Sequence, residues 1–481
     1  MNYSIIGFVL GWIIKVEGIF LLLPVLVAFI YQEKTAGFIF LACAAGAILL
    51  GTLMSFKKPS NKSFYAREGF ITVALGWIVM SLIGALPFYI SGEIPFYLDA
   101  FFEIVSGFTT TGASILPDVE ALSKCMLFWR SFSHWLGGMG VLVFVLTILP
   151  LSGGESLYFM KAESPGPSVS KLVPKMRQTA GILYIIYTGL MLVETILLIV
   201  GKMPVFDAVC MALGTAGTGG FGVLNSSAGS YTVFQQAILT IFMMLFGVNF
   251  SFYFLLLMKK GKEAFSIQEV KWYFAIWGTV VLFITINVTL TMGGNPLMNL
   301  HHAAFQAASV MTTTGFSTLN FNLWPELSKV LMVMLMFIGA CAGSTGGGIK
   351  VSRIGIYVKT IKKEFASLVH PRSVKILKMD GKKIEHTVIR SANVFLCTYV
   401  IVFFLSFVLI TFDNFDFETN FTAVTATLNN IGPGLSQVGP VENFAKFSPF
   451  SKIVLCFDML AGRLELFPML LLFIPSTWKR K

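Results

Sequence analysis

Charge is the scarcest thing in this sequence. Only 12% of its 481 residues are Asp, Glu, Lys or Arg, about half the share a soluble domain carries. That excludes an ordinary water-facing surface over most of the chain. Cysteine is sparse too, at six. Cys43, Cys210, Cys341, Cys397 and Cys456 lie within apolar runs, Cys125 lies near a helix start, and no two have metal-ligand spacing. This argues against a zinc site or disulfide framework and leaves small buried side chains. The apolar runs hold no paired carboxylates, histidine cluster or nucleophile motif, so no enzyme activity is expected.

What is abundant is hydrophobicity: 56% of residues, with a mean hydropathy of +0.79. Apolar runs long enough to cross ~30 Å of hydrocarbon recur from end to end, so the chain reads as an all-α polytopic membrane protein. The first run, Ile5 to Ile30, is too long for a signal-peptide core and lacks a small-residue cleavage site after it, so a retained helix is expected. The net charge of +11 follows topology and is no nucleic-acid signal. Lys57, Lys58, Lys62 and Arg67 fill one loop; Lys161, Lys171, Lys175 and Arg177 a second; Lys259, Lys260, Lys262 and Lys271 flank a third. Residues 350–390 hold eleven Lys or Arg. The intervening loops carry Glu93, Asp118, Glu120, Asp207, Asp413, Asp416 and Glu418 with few cations. Lys and Arg mark the cytoplasmic side, which puts both termini there and the acidic loops outside.

One polar stretch recurs among these runs. Thr109-Thr110-Thr111-Gly112-Ala113-Ser114 is nearly copied by Thr312-Thr313-Thr314-Gly315-Phe316-Ser317. Thr218-Gly219-Gly220-Phe221 and Asn429-Asn430-Ile431-Gly432-Pro433 are looser versions. Such a period is read before anything else. Each stretch sits in one unit: an apolar helix going out, a short segment, the polar turn, and a helix returning. The units are about 69–91, 97–109, 110–114 and 124–149; 179–201, 204–216, 217–222 and 233–257; 272–292, 298–312, 313–317 and 327–349; and 391–411, 417–429, 430–434 and 449–474. A helical hairpin precedes them. The expected division is 1–60 for the hairpin, then repeats over 61–155, 156–260, 261–388 and 389–481. The short segments cannot span and read as re-entrant half-helices, tolerated at membrane depth only beside protein or a water-filled cavity. In the second repeat, Gly220 aligns with Gly112, and Gly219 is a one-residue alternative.

Glycine permits backbone angles that aim successive carbonyl oxygens at one point, and such oxygens replace the water shell of a dehydrated cation. Threonine adds hydroxyls without charge. The C-terminal end of each half-helix contributes partial negative charge. The turns hold no carboxylate, which suits a monovalent ion that must also leave. The candidate filter is therefore Thr110, Thr111 and Gly112; Thr218, Gly219 and Gly220; Thr313, Thr314 and Gly315; and Asn430, Ile431 and Gly432. The competing reading is close helix packing by small residues; four turns on one side, each after a half-helix of matching length, favour the filter.

These residues resemble the Trk/Ktr/HKT superfamily of potassium transporters over nearly the whole chain, and the N-terminal hairpin resembles its bacterial TrkH branch. The resemblance implies four repeats with pseudo-fourfold symmetry around one pore in a bacterial inner membrane, with K+ held by the filter residues and no organic cofactor. Glycine in all four turns is similar to the potassium-selective members; some sodium-selective plant members have serine where Gly112 stands. The run Gly339-Ala340-Cys341-Ala342-Gly343-Ser344-Thr345-Gly346-Gly347-Gly348-Ile349-Lys350 should break the third return helix, since each glycine costs about 1 kcal/mol relative to alanine. It lacks the G-x-x-x-x-G-K-[ST] spacing of a phosphate cradle. By resemblance it is an intramembrane gate below the filter, built on Gly343, Ser344, Thr345, Gly346, Gly347 and Gly348. Lys350 ends that loop or is a positive-inside anchor. Arg463, costly within a membrane helix, is implied to face the pore; the alternative is a charge pair with Asp458 or Glu465. The resemblance also implies a homodimer and a cytoplasmic nucleotide-binding ring similar to TrkA, which acts in trans because this chain has no nucleotide motif. The basic stretch 350–390 reads as a docking surface for anionic membrane lipid or protein. A secondary transporter for another monovalent cation or small solute, coupled to protons or sodium, is the second reading; its usual inverted repeats are not the pattern here.

Other residues stand out. Glu103 is expected to support the filter by hydrogen bonding, with Gln306 in its place in repeat three. His134 reads as a packing or interface residue, with a proton relay as the alternative. His301 and His302 are expected to cap the third half-helix, with pH sensing as the alternative. Lys15 and Glu17 lie inside the first helix, two apart and so on different faces.

Overall fold

The computed structural model describes residues 1–57, 59, 65–140, 176–371 and 376–479. Lys58, Lys62, Lys161, Lys171, Lys175, the expected end of the first return helix and the boundary at 155 lie outside them. Among the described residues, six helices are long and apolar enough to cross a membrane. Two form the hairpin, Tyr3–Ile30 and Lys34–Ser55, and four are the outgoing helices, Ala66–Ser91, Gly181–Val200, Gln268–Met292 and His386–Asp413.

The hairpin closes on glycine. A Cβ on Gly11 would lie 2.9 Å from the Gly51 carbonyl oxygen, the close backbone approach that small residues allow in hydrocarbon. Lys15 lies over the Trp12 ring, 4.6 Å from its centroid. Glu17 is buried against Gly84 of the first repeat, its carboxylate without a hydrogen-bond partner among the described residues. Glu33, at the hairpin's turn, accepts the amides of Lys124 and Cys125 at 2.7 and 3.0 Å, filling orphan donors at a helix N-terminus.

Each repeat then has its half-helix: Tyr97–Phe108, Val205–Gly217, Pro296–Met311 and Phe417–Leu428. The third return helix stops at its glycine run, as expected, but the other three also stop short of the continuous spans expected for them. The four run Lys124–Gly138, Val233–Phe246, Glu326–Ile338 and Pro449–Arg463, so all four stop within a residue or two of the same point. The second resumes at Phe250–Leu257 after an 89° bend, and the fourth at Phe467–Leu471. Two cores result: one joins the hairpin to repeats one and four, the other joins repeats two and three.

Around the outer rim, each half-helix leans on the start of the preceding repeat's return helix. Asp99 meets Lys452 at 2.6 Å, Phe206 lies under Lys124 at 5.0 Å, His301 bonds Gln236 at 2.8 Å, and Glu418 meets Lys329 at 3.8 Å. His301 and His302 therefore sit in the second turn of the third half-helix, whose N-cap is Asn295; the expected capping role is Asn295's. A two-stranded hairpin, Lys378–Met379 against Lys382–Lys383, was not foreseen within the basic stretch.

Candidate ion pathway

Every half-helix ends the same way. The amides of Thr111, Gly219, Thr314 and Ile431 each bond the carbonyl five residues back, at 2.8–2.9 Å. The residue before each amide, Thr110, Thr218, Thr313 and Asn430, takes a left-handed φ of 52–59°, the usual helix stop. Two residues on, Gly112, Gly220, Gly315 and Gly432 have φ of 77–97°, where a side chain is strained. The two left-handed residues in this spacing put Gly220, not Gly219, in register with Gly112.

The four turns close on one another in cyclic order. A Cβ on Gly112 would collide with the Gly219 carbonyl oxygen, one on Gly220 with that of Thr314, and one on Gly315 with that of Ile431. One on Gly432 would fall 2.8 Å from the Thr111 oxygen. The ring thus runs through repeats one, two, three, four and back to one. Its threonines are almost fully buried, and their hydroxyls are divided in use. Thr109 pairs with Thr111 at 2.8 Å and Thr312 with Thr314 at 2.7 Å. Asn430 donates to the Thr111 hydroxyl at 2.9 Å. The Thr110 hydroxyl has no partner among the described residues.

Residues 339–350 pack against the ends of the third and fourth half-helices, at Thr312, Thr313 and Asn429. Ile349 and Lys350 donate back to Phe337 and Ile338, so the loop leaves and rejoins the helix end at one place. It touches three repeats itself. Cys341 donates to Gly247 and Phe250 donates to Gly343, at 3.1 and 2.9 Å; Gly347 donates to the Thr313 hydroxyl at 2.6 Å; and a Cβ on Gly347 would strike the Asn429 carbonyl. Arg463 ties in the fourth and first repeats: it donates to Thr345 at 2.7 Å, to Gly138 at 2.8 Å, and to Gly137. Lys350 donates to the Gly346 carbonyl.

A full-length comparison with known proteins agrees with this architecture. Residues 36–480 match the TrkH family, described as a cation transport protein. The chain belongs to the TrkH family. The Trk system potassium uptake protein TrkH of Salmonella typhimurium is 35% identical over the whole of both chains. TrkG of Escherichia coli is 32% identical over 98% of this chain and 97% of its own. The crystal structure of the potassium transporter TrkH from Vibrio parahaemolyticus superposes with a TM-score of 0.89 at 31% identity, covering both chains completely. The family is one of transporters, not enzymes.

Within this TrkH-family chain, the two carboxylates weighed as partners of Arg463 are engaged elsewhere. Asp458 bonds the Ser406 hydroxyl at 2.6 Å, and Glu465 pairs with Arg353 at 2.6 Å. Three contributors went unrecognised in the sequence. Glu269 accepts the amides of Ala342 and Ser352 at 2.6 and 3.1 Å, pinning both ends of the loop. Asn249 caps the resumed half of the second return helix. Arg130 pairs with Glu103 at 2.7 Å, with both side chains buried. A lone charge in an apolar run was the available signal for Arg130; Glu269, among the charges at 259–271, and Asn249 carried none.

Proposed function

We propose that this chain is the pore subunit of a potassium uptake system in a bacterial inner membrane, with the polar turns facing outside and both termini in the cytoplasm. The observation that carries the reading is the closed cyclic contact of four glycine turns. Carbonyls of residues 110–112, 218–220, 313–315 and 430–432 supply stacked oxygens for a dehydrated K+, and the half-helix ends add favourable potential. Inward movement down the membrane potential yields ~2.3 kcal/mol per charge per 100 mV.

The loop at 343–348 serves as the gate, and its present position is the shut one. Arg463 and Lys350 place cationic groups on the Thr345 and Gly346 carbonyls, below the candidate filter, where they oppose cation entry. Opening requires those carbonyls to be released together with the Gly347–Thr313 bond. The control is supplied in trans by a nucleotide-binding ring similar to TrkA, on a homodimer whose basic cytoplasmic surface also meets anionic lipid. Purified protein in vesicles tests this: rubidium uptake driven by an inside-negative potential and blocked by excess potassium is expected. No rubidium uptake, or uptake that persists unchanged under excess potassium, would refute it.

A further inference from the structure

Repeat one departs from its sisters at two places on its return helix. Counted from the N-caps Ser123, Thr232, Pro325 and Ser448, the eleventh residue is methionine three times, Met243, Met336 and Met459, and histidine once, His134. The seventh is Leu239, Met332 and Leu455, but Arg130 in repeat one. All eight side chains are buried. Three repeats fill the space behind the turn with hydrocarbon, whereas the first fills it with two hydrogen-bonding side chains, and both reach into repeat two.

The His134 Nδ1 lies 2.8 Å from the Gly107 carbonyl, in the last turn of the first half-helix. Its Nε2 receives the amide of Phe221, next to Gly220, at 3.2 Å. A carbonyl only accepts and an amide only donates, so the ring is held as the neutral Nδ1–H tautomer, bridging one turn to the next. Arg130, one helical turn earlier, donates through Nε to Glu103 at 2.8 Å and through Nη1 to the Gly222 carbonyl at 3.2 Å. Its guanidinium covers the Phe221 ring at 3.9 Å. Glu103 in turn accepts the Ser114 hydroxyl at 3.0 Å and the Ile115 amide at 2.9 Å. The chain after Gly112 and the chain after Gly220 are therefore held by one buried cluster.

We propose that Arg130 and His134 are positioning residues for ion selection: they fix the spacing between the first and second turns, so that the oxygens there cannot close around an ion smaller than K+. This rests on the uptake function proposed above. Neither side chain touches the ion; each acts through the backbone of residues 107 and 219–222.

Two variants borrow residues that other repeats already use at these positions. His134→Met installs the residue found in repeats two to four. Glu103→Gln with Arg130→Met installs the Gln306 and Met332 of repeat three and removes both charges together, leaving no unpaired ion to prevent folding. In vesicles, sodium should compete against rubidium roughly tenfold better in each variant, the loss expected when about one hydrogen bond's worth of discrimination goes. The maximal rubidium rate should change much less. A wild-type sodium-to-rubidium ratio in either variant removes that residue from the proposal, and in both overturns it. Absence of rubidium uptake by the unaltered protein would instead strike the uptake reading itself.

Discussion

The glycines of the turns are constrained twice, by left-handed φ and by the neighbouring carbonyl each would strike. Substituting one must move an oxygen, and the moved oxygen belongs to the next repeat. Gly315→Ser should therefore weaken discrimination against sodium by about tenfold, one contact's worth, measured as the sodium-to-rubidium uptake ratio; an unchanged ratio would count against the ring as the selecting element. Arg463 gives a prediction of the opposite sign. It staples the loop to the first repeat through three backbone carbonyls, those of Thr345, Gly137 and Gly138. Arg463→Gln should raise basal rubidium flux several-fold, since glutamine cannot span from Thr345 to Gly138. These residues were legible to different degrees. The threonines and glycines showed in the sequence because the motif repeats. The carbonyl partners of Arg463 did not, because backbone oxygens are the same at every position and only tertiary placement selects among them.

At the scale of elements, the half-helices were readable to within two residues, since each ends in a polar turn and three begin at Asp416, Asn295-Pro296 or Pro204. Glycine density announced only one of the breaks in the return helices; the first helix also stops at glycines, Gly137 and Gly138, where a continuous span was expected. The third, at residues 339–348, shows plainly. The second turns on Gly247 and Asn249 alone, and the fourth on Glu465 and Leu466, two non-glycine residues at φ of 54° and 69°, which no sequence pattern announces. The fourth half-helix offers a stability test. Asp416 caps it, accepting the Thr419 amide at 2.8 Å and hydroxyl at 2.5 Å, with the Ser436 hydroxyl at 3.3 Å. Burial pushes its pKa up, but these hydrogen bonds outweigh burial and hold it below the usual aspartate range. A depressed pKa means the cap stabilises fully above the unfolded value, ~3.9, and loses its contribution as pH falls through the folded one. Asp416→Ala should cost about 1 kcal/mol at neutral pH, read as a lowered thermal midpoint in detergent, and the gap to the unaltered protein should shrink below about pH 4.

At the scale of the molecule, pseudo-fourfold symmetry means that four chemically different junctions carry one geometric task. The rim contacts make this explicit: two are lysine–carboxylate pairs, one is a lysine over a ring, and one is histidine to glutamine. Sequence alone could not assign them, because Asp99 and Lys452 are 353 residues apart and meet only when the first and last repeats close the ring. That closure makes their pair a probe of the whole assembly. Both side chains are largely sheltered, Lys452 at 8% and Asp99 at 21% exposure, so removing one partner strands the other. Asp99→Asn alone, or Lys452→Met alone, should destabilise by up to about 3 kcal/mol, less than for a fully buried pair, whereas the double variant should recover part of that loss. The cycle is read from thermal midpoints of detergent-purified protein. Additive losses would mean that the pair is solvated and that closure between repeats four and one rests on other contacts. Those include the Phe444 amide to the Ser114 carbonyl at 2.8 Å, Asn430 to the Thr111 hydroxyl at 2.9 Å, and Arg463 to the Gly138 carbonyl at 2.8 Å. Coupled losses, accompanied by a fall in sodium rejection, would tie the outer rim to the ring of oxygens it surrounds.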